Sequence, residues 1–286
     1  MYPQIAEYFR GKSVLLVGFG REGQSTFRYI RTYFPEMMLT IADKNEIAPP
    51  DAFTACLCGD DYLQHINDFS LVMKSPGISF KDVEIGAQTE VTCQVDLFLR
   101  FANCHKIGIT GSKGKTTTST LTYRMLKAAG RDCRLIGNIG VPVFEALKDL
   151  TPDTVAVIEM SSHQLEFTHA SPEVAVLTNL YEEHLEHYKG GFQGYVRANR
   201  ISRCIKKRVI CFCITGHRGS HSLWICLPYR PKKSAFAPTN NCPLQCKMRI
   251  WRARTMCRIF CLPVPPQNAS GRRTRTARPP CANLRG

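Results

Sequence analysis

The segment Gly108-Ile-Thr-Gly-Ser-Lys-Gly-Lys-Thr-Thr-Thr118 constrains this chain more than any other stretch of it. An apolar run at 106–109 precedes it and reads as a short buried strand. Residues 117–129 follow and read as a helix. Strand, glycine-rich turn, Lys-Thr and helix make a phosphate cradle. Loop N–H groups and the helix N-terminus converge on one point, where the helix dipole favours negative charge. In that role Gly111, Ser112, Lys113, Gly114, Lys115, Thr116 and Thr117 hold the phosphates of a ligand. Lys115 reaches the β- and γ-phosphates, and the Thr116 hydroxyl ligates Mg2+. The strict pattern places a glycine where Ile109 stands, so the match is to the shorter Thr-Gly-x-x-Gly-Lys-Thr form. The competing reading is a chance Gly/Lys/Thr cluster in a loop, and the flanking strand and helix weigh against it.

A second glycine-rich turn lies near the start. Residues 13–17 read as a strand, 24–33 as a helix, and Gly18-Phe-Gly-Arg-Glu-Gly23 joins them. A strand over 38–42 ends in Asp43, which has the spacing of an acid that bonds a ribose hydroxyl in a Rossmann-like unit. Three readings stand side by side: a nicotinamide or flavin dinucleotide, glycines that only permit close packing, or another diphosphate ligand. The turn Ser75-Pro76-Gly77 follows a short strand at 71–73. It therefore sits at a carboxyl strand end, where open α/β sheets bind ligands. Residues 95–101 read as a helix, and a domain boundary is placed near Asn103.

Beyond the cradle, 135–142 is a strand and turn containing Asn138. The continuous apolar run 154–159 ends in Glu159, placed for a second Mg2+ contact or, more plainly, for capping the next turn. Met160-Ser161-Ser-His-Gln-Leu-Glu166 continues it. A strand at 174–177 leads into Thr178-Asn-Leu-Tyr-Glu-Glu-His184. His184 is a candidate metal ligand or phosphate contact, set against an ordinary structural histidine. Alternation of strands and helices predicts an α/β chain with parallel, doubly wound sheets.

Charge divides the sequence. Of 38 Lys and Arg, 18 lie after residue 200, where none of the 23 acids is found, so the first 200 residues carry a net −3 against +15 for the whole. Nine of 14 cysteines and both tryptophans also lie there. Cys56, Cys58, Cys93, Cys104 and Cys133 show no framework spacing, which suits a reducing compartment. The first ten residues lack the apolar core of a signal peptide, and no apolar run approaches about 18 residues. A cytoplasmic chain without a membrane span is expected.

Gly108–Thr118, Gly137-Asn-Ile-Gly140, Glu159–Glu166 and Thr178–Leu185 together resemble the Mur ligases. The Gly18–Gly23 turn and Ser75-Pro-Gly-Ile78 are most similar to the members that add D-glutamate to UDP-N-acetylmuramoyl-L-alanine. The resemblance implies an ATP- and Mg2+-dependent amide ligase of peptidoglycan precursor synthesis, working through an acyl phosphate and monomeric. It implies a UDP-sugar, not a nicotinamide, on Gly18, Gly20 and Gly23, with Asp43 near the uridine. Ser75, Pro76, Gly77, Asn138 and Ser161 are then substrate contacts. Lys115 and His184 are catalytic, and Thr116, Glu159 and His184 serve Mg2+. The implied domains are a Rossmann-like one over 1–103, an incomplete P-loop one over 104–199, and a tail from 200.

The resemblance stops at Asn199, where the family's Arg-Ala-Lys segment carries a lysine that is carbamylated. The tail reads as irregular or disordered, in one of three ways. It is a shifted reading frame, a nucleic-acid-binding arm using Arg272, Arg273, Arg275 and Arg278, or a zinc module on Cys242, Cys246, Cys257 and Cys261. The frame-shift reading is preferred and nucleic acid is not expected as a partner. Loss of later strands is expected to leave an unpaired sheet edge and an inactive ligase. The alternative function is a nucleotide-sugar-binding module with a basic arm.

Overall fold

The computed structural model describes residues 2–199 in full and the backbone of 210–217 and 220–226. The charged and cysteine positions singled out at 242–278 lie outside the described residues. A short helix, α1 (Pro3–Glu7), leads into β1 (Val14–Val17), whose four side chains are all buried. With β2 (Leu39–Asp43), β3 (Thr54–Cys58), β4 (Leu71–Lys74) and β5 (Glu90–Thr92) it forms a wholly parallel sheet of order β3-β2-β1-β4-β5. Helix α2 (Arg21–Tyr33) connects β1 to β2, and α3 (Gln94–Phe101) follows β5. The connection leaves β1 on one side and returns at β4 on the other, so a crevice opens at the carboxyl end of β1.

The second sheet has the order β11-β10-β9-β6-β8-β7. Its strands are β6 (His105–Thr110), β7 (Cys133–Gly137), β8 (Val155–Glu159), β9 (Val174–Leu177), β10 (Ile210–His217) and β11 (Ser220–Cys226). Helices α4 (Lys115–Ala128), α5 (Val143–Ala146), α6 (Ser162–Leu165) and α7 (Gly191–Ala198) complete it. All pairings are parallel except β10 with β11. Again β6 sits between neighbours on both sides, so its carboxyl end lies at a strand-order reversal. The run Val-Ala-Val-Ile-Glu of β8 is buried throughout, as a central parallel strand requires. One apolar cluster runs from Leu16 and Ile41 through Val95 and Phe98 of α3 to Phe144, Ala156 and Ile158. Helix α3 thus packs between the elements of the two sheets.

Three differences from expectation have local causes. Helix α2 starts at Arg21, not Gln24, because Gly20 takes the N-cap position and Gly23 lies inside the first turn. Helix α4 begins at Lys115, directly after left-handed Gly114. The expected unpaired edge beyond β9 is covered: Ile210–Cys213 pairs in parallel with Val174–Leu177, and β11 pairs antiparallel outside it. β10 ends at His217 and β11 begins at Ser220, which is the spacing of a two-residue hairpin. The backbone donors and acceptors of β9 thereby find partners. Among the described residues no helix is long and apolar enough to cross a membrane.

The packing of α3 makes a direct prediction. Phe98 is fully buried, and Phe98→Ala is expected to cost about 3–5 kcal/mol. Leu121 is 52% exposed, and Leu121→Ala should stay within about 0.5 kcal/mol. Urea unfolding midpoints of the two variants check the contrast.

Candidate functional site

The turn after β6 is shaped by two glycines in left-handed backbone, Gly111 (φ +133°) and Gly114 (φ +82°). A Cβ on Gly111 would lie 2.2 Å from Thr178 Oγ1, so only glycine passes beneath the end of β9. The segment after β9 grips the turn. Ser112 N–H donates to Asn179 O (3.0 Å). Lys113 N–H donates to Asn179 Oδ1 (2.8 Å), and Asn179 Nδ2 donates back to Lys113 O (2.9 Å). The Thr178 hydroxyl donates to the same carbonyl at 2.7 Å. From α7, the Tyr195 hydroxyl meets Ser112 Oγ at 2.6 Å. Thr-Asn-Leu-Tyr (178–181) therefore acts as a scaffold for the turn after β6.

Lys115 opens α4 and folds its ammonium over the turn, donating to Gly111 O (2.6 Å) and Ser112 O (2.9 Å). Burial lowers its pKa, opposed by the charges of Glu159 and Glu183 and reinforced by Lys113. Thr116 and Thr117 are exposed on the first turn of α4, and Lys113 pairs with Glu183. Glu159, at the tip of β8, is 1% exposed. Its Oε1 accepts from Asn138 Nδ2 (2.8 Å) and its Oε2 from Ser119 Oγ (3.3 Å). Ser119 also donates to Lys115 O (2.7 Å), which ties the acid to the start of α4. Thr116 and Glu159 supply the hard oxygen donors that Mg2+ takes, so the residues present fit that ion.

His184 is the one non-glycine residue with positive φ (53°) among those described. Such a conformation costs on the order of 1–3 kcal/mol and persists where its surroundings impose it. Its ring packs against His163 (centroids 5.2 Å apart) and His187 (6.0 Å). Asn199 is 2% exposed beneath the cradle, accepting from the Thr110 hydroxyl at 3.0 Å and donating to Tyr195 O at 3.0 Å.

A cleft of about 500 Å3 opens at the carboxyl end of β1. Gly18, Gly20, Asp43, Ser75, Pro76, Gly77 and Asn138 line it together, with Arg21, Glu22 and Gln164. Asp43 accepts from Phe19 N–H (2.8 Å) and Asn45 N–H (2.9 Å), so it braces the turn as well as facing the cleft. Ser75 Oγ donates to Gly18 O at 2.9 Å. Two expected contacts sit apart from the lining. A Cβ on Gly23 would be 2.0 Å from Gly18 O, so this glycine serves close packing. Ser161 caps α6 in a reciprocal box with Gln164.

Sequence reasoning missed Ser119, Tyr195, Gln164 and Glu22. The Ser-x-x-Gln of 161–164 carried a visible capping signal; the others had none. Glu22 as a residue is half-buried, yet its Oε1 is shut off from solvent without a partner, while Oε2 accepts from Gln164 Nε2 at 3.0 Å. Burial is the main cause that pushes its carboxyl up to about 7; Gln164 and Lys74 pull the other way.

Residues 109–202 match the Mur ligase middle domain. The UDP-N-acetylmuramoylalanine–D-glutamate ligase of Clostridium kluyveri is 39% identical over 148 residues, covering 50% of this chain and 32% of the relative. The ligase of the same name from Halalkalibacterium halodurans is 33% identical over 206 residues, covering 68% and 45%. The chain thus spans about a third to a half of the length of these curated relatives. A solved UDP-N-acetylmuramate–alanine ligase from Thermotoga maritima aligns over 70% of this chain and 49% of its own at 20% identity and a TM-score of 0.39, too low to bear on the fold.

Two outcomes are expected. Gly23→Ala forces its methyl group against a backbone oxygen and should destabilise by about 1–3 kcal/mol, read from urea midpoints. Glu22 binds its proton more tightly when folded (about 7) than when unfolded (4.5). Its contribution is therefore largest at low pH and falls as pH rises through that window, because the folded state holds the extra proton there. Glu22→Gln should remove that downward slope, measured as unfolding midpoints across the same range.

Proposed function

This chain carries a Mur ligase middle domain, and from that premise we propose that it holds the nucleotide and UDP-sugar ends of a peptidoglycan-precursor ligase. The reaction class is the joining of D-glutamate to UDP-N-acetylmuramoyl-L-alanine at the expense of ATP. The observation that carries the reading is the double grip of Asn179 on Lys113, which fixes the glycine-containing turn at the tip of β6.

In this reading the triphosphate lies over the N–H groups of 111–114, at the positive end of α4. Lys115 leaves the carbonyls of Gly111 and Ser112 for the phosphate oxygens. The exchange favours the ammonium, since two neutral acceptors give way to charged ones. Thr116 and Glu159 would hold Mg2+, with His184 as the further contact proposed for it; the ion supplies charge neutralisation on the transferring phosphoryl group. The UDP-sugar fills the cleft lined by Gly18, Gly20, Asp43, Ser75 and Asn138. Asn138 spans both places, lining the cleft while bonding Glu159. It therefore couples the end of the sugar nucleotide to the phosphate corner. The substrate carboxylate attacks the γ-phosphorus, ADP leaves, and an acyl phosphate forms. The amine of D-glutamate then attacks the acyl carbon, releasing phosphate and a proton. Positioning and electrostatics supply the acceleration.

Full turnover is not expected of this chain. Asn199 cannot be carbamylated, and its amide is committed to Thr110 and Tyr195. The shifted reading frame remains the proposed origin of the sequence after 200.

Calorimetric titration of the full chain tests the proposal. It should bind Mg2+–ATP and UDP-N-acetylmuramoyl-L-alanine at separate sites. Lys115→Ala should weaken the first by roughly tenfold or more, about 1.4 kcal/mol, and leave the second unchanged. Phosphate release dependent on both UDP-N-acetylmuramoyl-L-alanine and D-glutamate should stay at background. Equal ATP affinity in the Lys115 variant would overturn the reading.

A further inference from the structure

We propose that His163, His184 and His187 form a binding site for a borderline divalent transition-metal ion of the Zn2+ type. The inference goes beyond the ligase reading and shares only His184 with it. Each of the three imidazoles offers one ring nitrogen, and these nitrogens all lie within 4.8 Å of one another. They come from two places in the chain: His163 from α6, after β8, and His184 and His187 from the segment after β9. An ion here would tie those two connections together at one end of the second sheet.

The ring nitrogens themselves point to a ligand. His163 Nε2 and His187 Nδ1 are buried and have no hydrogen-bond partner. A purely packing role would leave two buried polar atoms unmatched, which native structures generally avoid. The other nitrogen of His187, Nε2, lies 3.5 Å from Glu186 Oε1, within ion-pair distance of that exposed carboxylate. A carboxylate on one imidazole nitrogen with the second nitrogen directed at an ion is the usual way a histidine ligand is held. Tyr188 stacks on His163 at an interplanar angle of 19° and restricts its ring.

Chemistry chooses the ion. A set of three imidazoles suits Zn2+, Co2+, Ni2+ or Cu2+, whereas Mg2+ takes a mainly oxygen set such as Thr116 and Glu159 offer. A tetrahedral site with bonds of about 2.0–2.1 Å sets ring nitrogens about 3.3–3.4 Å apart. The three nitrogens here lie within 4.8 Å of one another, so binding draws them together, and His184 is the exposed member of the three. Three nitrogens leave a fourth position for water or a substrate oxygen.

Cobalt titration of the full chain tests the site. One equivalent of Co2+ should give visible d–d absorption of a nitrogen-ligated ion, displaced by Zn2+. His163→Ala and His187→Ala should each weaken binding roughly tenfold or more. Both should leave Mg2+–ATP and UDP-sugar affinity unchanged, which separates failure of this site from failure of the ligase reading. If a variant does not fold, imidazole 15N shifts of the unsubstituted chain replace it: Zn2+ should move all three histidines. Unchanged Co2+ affinity in both folded variants, unmoved imidazole shifts, or near-ultraviolet thiolate charge transfer from the cysteines would overturn the proposal.

Discussion

The arrangement rests on one contact between distant parts of the chain, the clasp of Asn179 on the backbone of Lys113. A turn with glycines at 111 and 114 has many conformations open to its backbone. Two hydrogen bonds from one amide group, with the hydroxyl of Thr178 on the same carbonyl, select a single one. The clasp forms only because β9 lies beside β6 with Thr110 opposite Leu177, bringing the two strand ends level. Sheet register, turn conformation and the direction of the loop N–H groups are thus consequences of the same pairing.

Around that clasp the polar groups are shared between tasks. Glu159 is held by Asn138 and Ser119, and Ser119 belongs to the helix that Lys115 begins. Asn138 also faces the cleft beyond β1. One continuous run of hydrogen bonds thus joins the cleft to the start of α4. Lys74 and Glu22 mark the cost of building such a region: both are removed from water, and burial drives each toward its neutral form.

Much of this was legible in the sequence because it is local. The strand and helix flanking Gly111–Thr117 follow from an apolar run and a helix-forming segment, and Gly18, Ser75 and Asn138 reach one cleft because each sits at a carboxyl strand end. What escaped was long-range. Gln164 meets Glu22 across 142 positions, and Tyr195 reaches Ser112 across 83. No periodicity encodes such meetings. The covering of β9 by β10 was missed because its apolar run is too short to stand out from an acid-free, aperiodic stretch. His163 and His187 gave no spacing signal, since their partnership depends on two loops meeting in space.

The central claim is that the turn at the end of β6, held by Asn179, presents its N–H groups to a triphosphate. Amide chemical-shift mapping of the full chain with Mg2+–ATP tests it most directly. The account predicts the largest shifts at the amides of Gly111 to Thr117, with Gly18 to Gly23 little changed. Shifts concentrated at Gly18 to Gly23, or none at Gly111 to Thr117 with saturating nucleotide, would contradict it.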